Sequence, residues 1–217
     1  MQRDLAGVHA FRMPGTDTDD TGTSRITADI DAARGARMTI RDHDGTVTVL
    51  LVKSGSFIRA SAAYWRGQGL EASVARRFGG RWVKSPTGAL DRDLAQLQPK
   101  ALARCVSRDH GTLGNAGVRS IGGAQAVIIT DKGDKPATSP GELWVSVRGR
   151  ALPLRERQTG KRRAGKVDTS CGEEQDDTTR AEDVRFSRYD KPTGIRAPSR
   201  YLVLADDGQG GGGTAPS

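Results

Sequence analysis

A chain of 217 residues with 35% hydrophobic but only 5% aromatic residues is long enough to bury a core, and its length fits one domain. No stretch approaches the roughly 18 apolar residues that a membrane-spanning helix needs. The net charge of +8 admits an anionic partner, but the zinc ligands, recognition helix and base-stacking aromatics of nucleic-acid binders are not read here, so nucleic acid is not expected as a partner.

With 28 glycines among runs of Thr, Asp and Arg, the composition reads as one antiparallel sheet with polar loops. A short apolar piece, Val8 to Met13, comes first, followed by a Thr/Asp/Gly loop to residue 24. Ile26, Ala28 and Ile30 alternate with polar residues, as do Met38 and Ile40, and both segments predict half-buried strands. Asp44-Gly45 marks a hairpin into a strand over Thr46 to Val52. Ser54-Gly55 turns that strand into Ser56 to Ala60. Tyr64 and Trp65 then open one amphipathic helix, with Leu70, Val74 and Phe78 on its apolar face and Gly79 just past its end. After Trp82-Val83-Lys84, Leu90, Leu94 and Leu97 share a helical face. Pro99 suits the first turn of a second short helix carrying Leu102 and Cys105.

Val118 to Ile121 and Ala124 to Thr130 predict strands joined by Gly122-Gly123. Glu142 to Arg148 alternates, with Leu143, Val145 and Val147 on one face and Trp144 and Ser146 on the other. Ala151 to Gln158 reads as another strand, Gly172 to Glu182 as a polar loop, and Val184, Phe186 and Tyr189 as the end of the sheet. One domain is expected over residues 1–205, with residues 206–217 a disordered glycine-rich tail.

Nothing in this order looks catalytic. A nucleophile elbow, a phosphate-cradling loop before Lys-Ser/Thr and a paired-histidine zinc motif are not read, so neither an enzyme nor a cofactor is expected. His9, His43 and His110 have no ligand-like spacing, and no metal site is assigned. Cys105 and Cys171 read either as two unrelated thiols or as a disulfide, and the disulfide is the expectation carried forward. It would close a long loop worth roughly 4 kcal/mol in the chain-entropy model and place the protein outside the cytoplasm. The basic run Arg155, Arg157, Lys161, Arg162, Arg163 and Lys166 reads as a hairpin tip, either simply solvated or facing anionic headgroups and a negatively charged membrane surface.

Several of these pieces, in this order, resemble one family. Gly7-Val8-His9-Ala10 is similar to its first strand, and Val52 to Trp65 to its hairpin-to-helix step. Gly80-Arg81-Trp82-Val83-Lys84 is similar to its Gly-Lys-Trp-Val-Lys, and Ile121 to Val127 to its hairpin around Gly-Gln-Pro-Ala. Leu143 to Arg155, with Leu152-Pro153-Leu154-Arg155, resembles its Leu-Tyr-Val…Pro-Leu-Arg strand pair, and Val184 to Pro198 its closing Phe-Ser-Asp-Tyr-Gly…Pro. The family is that of the actinobacterial lipid-carrier lipoproteins of the LppX/LprG type, which share a half-barrel fold with the lipoprotein carrier LolA. The likeness covers about residues 7 to 200. The family's signal peptide, lipobox cysteine and N-terminal amphipathic helix are not read in this chain, so no anchor is carried over.

The resemblance implies an α+β fold, a strongly curved antiparallel half-barrel whose concave face is covered by short helices. It implies non-catalytic binding or transport of an acyl lipid or glycolipid at the cell envelope by a monomer. A cavity for alkyl chains needs a continuous apolar lining, each buried methylene contributing about 0.8 kcal/mol. The candidate lining is Ile40, Val49, Leu51, Ile58, Trp65, Leu70, Val74, Leu94, Leu97, Val127, Ile129 and Trp144. The alternatives are an extracytoplasmic accessory or structural protein of the same fold with a filled core, and a cytoplasmic basic binding module.

Overall fold

The computed structural model describes residues 1–86, 98–106, 111–166 and 181–204, together with the backbone of 211–214. Thirteen strands form one open sheet: β1 Ala10–Thr18, β2 Thr23–Asp31, β3 Gly35–Asp42, β4 Gly45–Val52, β5 Gly55–Arg59, β6 Trp82–Lys84, β7 Leu113–Ile121, β8 Ala124–Lys132, β9 Pro140–Ser146, β10 Pro153–Gln158, β11 Ala181–Arg185, β12 Arg200–Val203 and β13 Gly211–Thr214. Their order is β13-β12-β6-β5-β4-β3-β2-β1-β11-β10-β9-β8-β7, antiparallel except where β12 joins β6. Among the described residues four helices accompany them: α1 Gln2–Ala6, α2 Ala62–Gly67, α3 Ala72–Phe78 and α4 Pro99–Val106. No described helix is long and apolar enough to cross a membrane.

The turns follow from local chemistry. The Asp42 carboxylate accepts from the N–H groups of Asp44 (2.8 Å) and Gly45 (3.0 Å), fixing the β3–β4 hairpin that Asp44-Gly45 announces. At the β2–β3 turn, Gly35 has φ +114°, and a Cβ there would overlap the Leu51 carbonyl oxygen. Ser61 caps α2, its hydroxyl accepting from the Tyr64 N–H at 3.1 Å.

The single helix expected from Tyr64 to Phe78 is two helices. Gly67 ends the first, and Gly69 at φ +83° turns the chain before Glu71 opens the second. The Thr/Asp/Gly stretch after Met13 continues β1 to Thr18 instead of forming a loop. Gln2–Ala6 form a short helix with Leu5 fully buried, where no opening helix was read. Gly211–Thr214, inside the expected disordered tail, pairs with β12. Leu90, Leu94 and Leu97 lie outside the described residues.

Register divides the sheet into two faces, because residues directly opposite one another point the same way. Met13, Ala28, Met38, Val49, Ile58, Val83 and Leu202 stand side by side across seven strands. This inner face carries the helices. Leu5 of α1 and Leu102 and Ala103 of α4 pack with Phe11, Ile30, Ala36 and Leu51. Trp65 of α2 and Val74, Ala75 and Phe78 of α3 pack with Val47, Ile58 and Val83. The outer face has its own cluster, Leu50, Val52 and Phe57, covered by Ile195.

Candidate functional site: the inner face of the half-barrel

A second register row runs through nine strands: Val47, Ile40, Ile26, Gly15, Val184, Glu156, Leu143, Ile129 and Asn115. Ile40 and Ile129, far apart in sequence, therefore belong to one continuous surface. By the same alternation Val49, Leu51, Ile58 and Val127 are on it. Trp65, Leu70 and Val74 reach it from the helical side, within the cluster around Phe78. Leu94 and Leu97 cannot be placed, lying outside the described residues. Trp144 is on the other face. It stands opposite Ile128, whereas Ile129 stands opposite Leu143.

Cover differs along this surface. Under the helices Leu51 and Trp65 are each 3% exposed. Trp65 meets Phe78 edge-on, with ring centroids 5.6 Å apart, and its indole N–H finds no acceptor among the described residues. Tyr64 lies edge-on to Trp65 at 5.3 Å, and burial pushes its phenol pKa up. Across β7–β9 the surface is open. Val118, directly opposite Val127, is 57% exposed, Leu113 is 57% exposed, and Val127, Ile129 and Leu143 are half-buried. Sequence reasoning missed Leu143 and Val118. Alternation had placed Leu143 and Trp144 on opposite faces, but only register says which of them joins Ile129.

The basic run does not stand as a free cationic cluster. Arg155 makes a bidentate pair with Asp183 and lies 5.6 Å from the Trp144 ring centre. That pair raises the Arg155 pKa and lowers that of Asp183. Arg157 reaches Glu142 at 3.4 Å and Lys161 reaches Asp20 at 3.6 Å. Arg163 donates to the Gly133 carbonyl at 3.2 Å. Arg162 is half-buried and Lys166 exposed.

Another outer-face network is polar. Asp29, 5% exposed, accepts from Arg12 Nε at 2.7 Å and from Arg37 at 2.7 Å, tying β1, β2 and β3. Burial pushes the Asp29 carboxyl up, but the two guanidinium groups outweigh it and hold the pKa below the ordinary carboxylate value. Two clefts border charged side chains. One, at the β3–β4 tip, gathers potential ligand atoms of Asp42, His43 and Asp44 within 4.8 Å, all exposed. The other lies among His9, Asp31, Arg34 and Asp190, where Asp31 is already engaged by Arg34 and Thr193 and Asp190 by His9 and Arg150. Cys105 lies on α4, while Cys171, its expected partner, is outside the described residues, so the pairing is not among the described contacts.

An open antiparallel sheet with helices laid on one apolar face defines a half-barrel. No family model matches the chain, and no curated protein matches it. Among solved structures it is similar to the lipoprotein LppX of Mycobacterium tuberculosis, with 12% identity and a TM-score of 0.54 over 89% of this chain and 93% of that one. It is also similar to LprF of Mycobacterium bovis, with 12% identity and a TM-score of 0.56 over 91% of this chain and 92% of that one. The chain has the LppX-type half-barrel fold that its motifs implied.

Proposed function

We propose that the protein binds a hydrophobic ligand, an acyl lipid or glycolipid, on the inner face of the half-barrel without transforming it. The observation that carries this reading is the open apolar stretch around Val118, Val127, Ile129 and Leu143, joined to Ile40 by a register row that passes through Glu156, Val184, Gly15 and Ile26. A soluble domain gains by covering such a surface, and alkyl chains have the chemistry to cover it. The likeness in fold to LppX, named as a lipoprotein, supports an extracytoplasmic place at the cell envelope. A monomer serves this role. Ile40, Val49, Leu51, Ile58, Trp65, Leu70, Val74, Val127 and Ile129 are its proposed lining.

Native mass spectrometry of protein purified from a lipid-rich host, followed by solvent extraction, tests the reading. An added mass released as an acylated lipid supports it. A bare polypeptide that takes up neither fluorescent fatty acid nor phospholipid overturns it. The packing of Leu51, Trp65 and Phe78 favours the second reading, a filled-core accessory protein, under which the bare mass is the expected result. The extracytoplasmic reading also carries the Cys105–Cys171 disulfide. Thiol titration of unfolded, unreduced protein then finds no free thiol, and finding two rejects the bridge.

A further inference from the structure

The positive charge of this protein is gathered at one end of the sheet. Residues 45–86 hold seven Lys/Arg and a single acidic residue, Glu71, and residues 191–204 add three Lys/Arg and no acid. Ten of the chain's 34 Lys/Arg and one of its 26 Asp/Glu thus fall here. These segments carry +9, and the rest of the chain carries −1. They are neighbours in space, because β12 joins β6.

The sharpest concentration is the Gly79–Gly80 corner. The Gly79 N–H bonds the Ala75 carbonyl at 3.0 Å, and the Gly80 N–H bonds that of Ala60 at 2.8 Å. The Arg81 N–H bonds the Phe78 carbonyl at 3.0 Å. Arg59 Nε donates to the Gly80 carbonyl at 3.0 Å. The end of α3, the end of β5 and the start of β6 are thereby drawn together, and Arg59, Arg76, Arg77 and Arg81 are all exposed around them. Trp82 stands opposite Arg59 and is half-buried against the outer cluster, as is Tyr201.

We propose that this corner docks the protein on an anionic lipid bilayer. The chemistry is that of a juxtamembrane basic patch: long guanidinium side chains meeting phosphate headgroups, flanked by half-buried Trp and Tyr of the kind that sit at headgroup level. A bilayer fits better than a nucleic acid. The aromatics lie against the protein instead of standing out to stack bases. The proposal goes beyond the ligand reading and stands without it, since an empty half-barrel would dock the same way.

Co-sedimentation with vesicles containing about one-third phosphatidylglycerol, against pure phosphatidylcholine vesicles, tests it at low and high salt. The full chain is expected on the anionic vesicles only and to leave them at high salt. Arg→Gln at 59, 76, 77 and 81 together lowers the partition coefficient at least about tenfold, and Arg→Lys at the same four positions retains it. Lys161, Arg162 and Lys166→Gln leaves it unchanged. Should the quadruple Gln variant not fold, R76Q/R81Q is measured in its place, with a loss of several-fold expected. Equal binding to neutral vesicles, unaltered binding of the Gln variants, loss on altering 161, 162 and 166 instead, or retention by nucleic acid with none by vesicles overturns the proposal.

Discussion

Trp144 stands directly opposite Ile128 in the β8–β9 ladder, one residue away from the Ile129–Leu143 pair. That single step puts the indole on the outer face, where its N–H donates to Glu142 at 3.1 Å and Arg155 covers its ring. Leu143 takes the place beside Ile129 on the inner face. Leu143→Trp or Ile129→Trp is therefore expected to fill the open apolar stretch and reduce uptake of a fluorescent fatty acid about tenfold or more. Trp144→Phe is expected to leave uptake within about twofold, because it lies behind the sheet. Titration of the three variants checks this.

Asp29 holds Arg12 and Arg37 together across three strands. Asp29→Asn is expected to cost about 2–3 kcal/mol, read by urea unfolding at neutral pH, since it leaves two partly covered guanidinium groups facing a neutral amide.

The same contact predicts acid sensitivity. The folded-state pKa of Asp29 lies below its ordinary value of 3.8, and Asp31, Asp183 and Asp190 shift the same way. A lowered carboxyl contributes stability that is fully present above the unfolded value and lost as pH falls through the folded one. Unfolding free energy is expected to be level above about pH 5 and to drop below about pH 4. Asp29→Asn should show a shallower drop.

Gly35→Ala is expected to be among the most damaging surface-turn substitutions, costing more than about 2 kcal/mol. The new methyl group meets the Leu51 carbonyl and the backbone must hold a positive φ. Gly22→Ala, also at positive φ but with open space around it, is the comparison and should cost less. Thermal melts of both variants decide.

Trp65→Ala is expected to cost about 3–5 kcal/mol through the cavity it leaves beside Phe78. Trp65→Phe removes an indole N–H that has no acceptor among the described residues while keeping much of the ring packing, and should cost markedly less. Chemical denaturation of the pair checks this.

Strand identity was legible wherever polar and apolar residues alternate, as at Ile26–Ile30 and Met38–Ile40, or where a turn residue fixes the hairpin, as at Asp44-Gly45. Most of the candidate lining on β3, β4 and β5 follows from that alternation. What stayed hidden depends on partners distant in sequence. Trp144 alternates correctly with Leu143, but only the pairing of β9 with β8 says which of the two shares Ile129's face. The break between α2 and α3 was masked because Leu70, Val74 and Phe78 keep helical spacing across Gly67 and Gly69. The basic run from Arg155 to Lys166 looked like a free patch because Asp183, Glu142 and Asp20 reach it from other strands and loops.

The placement of β11 and β12 has a consequence for how the chain is made. Strands β1 to β6 form an unbroken block, and its two flanks are closed by late segments, β11 beside β1 and β12 beside β6. A nascent chain that has reached residue 180 holds this six-strand block with both sides still open, and the separate block of β7 to β10 with the β10 edge open, the condition in which sheets recruit a second copy. Synthesis interrupted there leaves a sticky intermediate, and the segment 181–204 acts as the seal that makes the product safe to release.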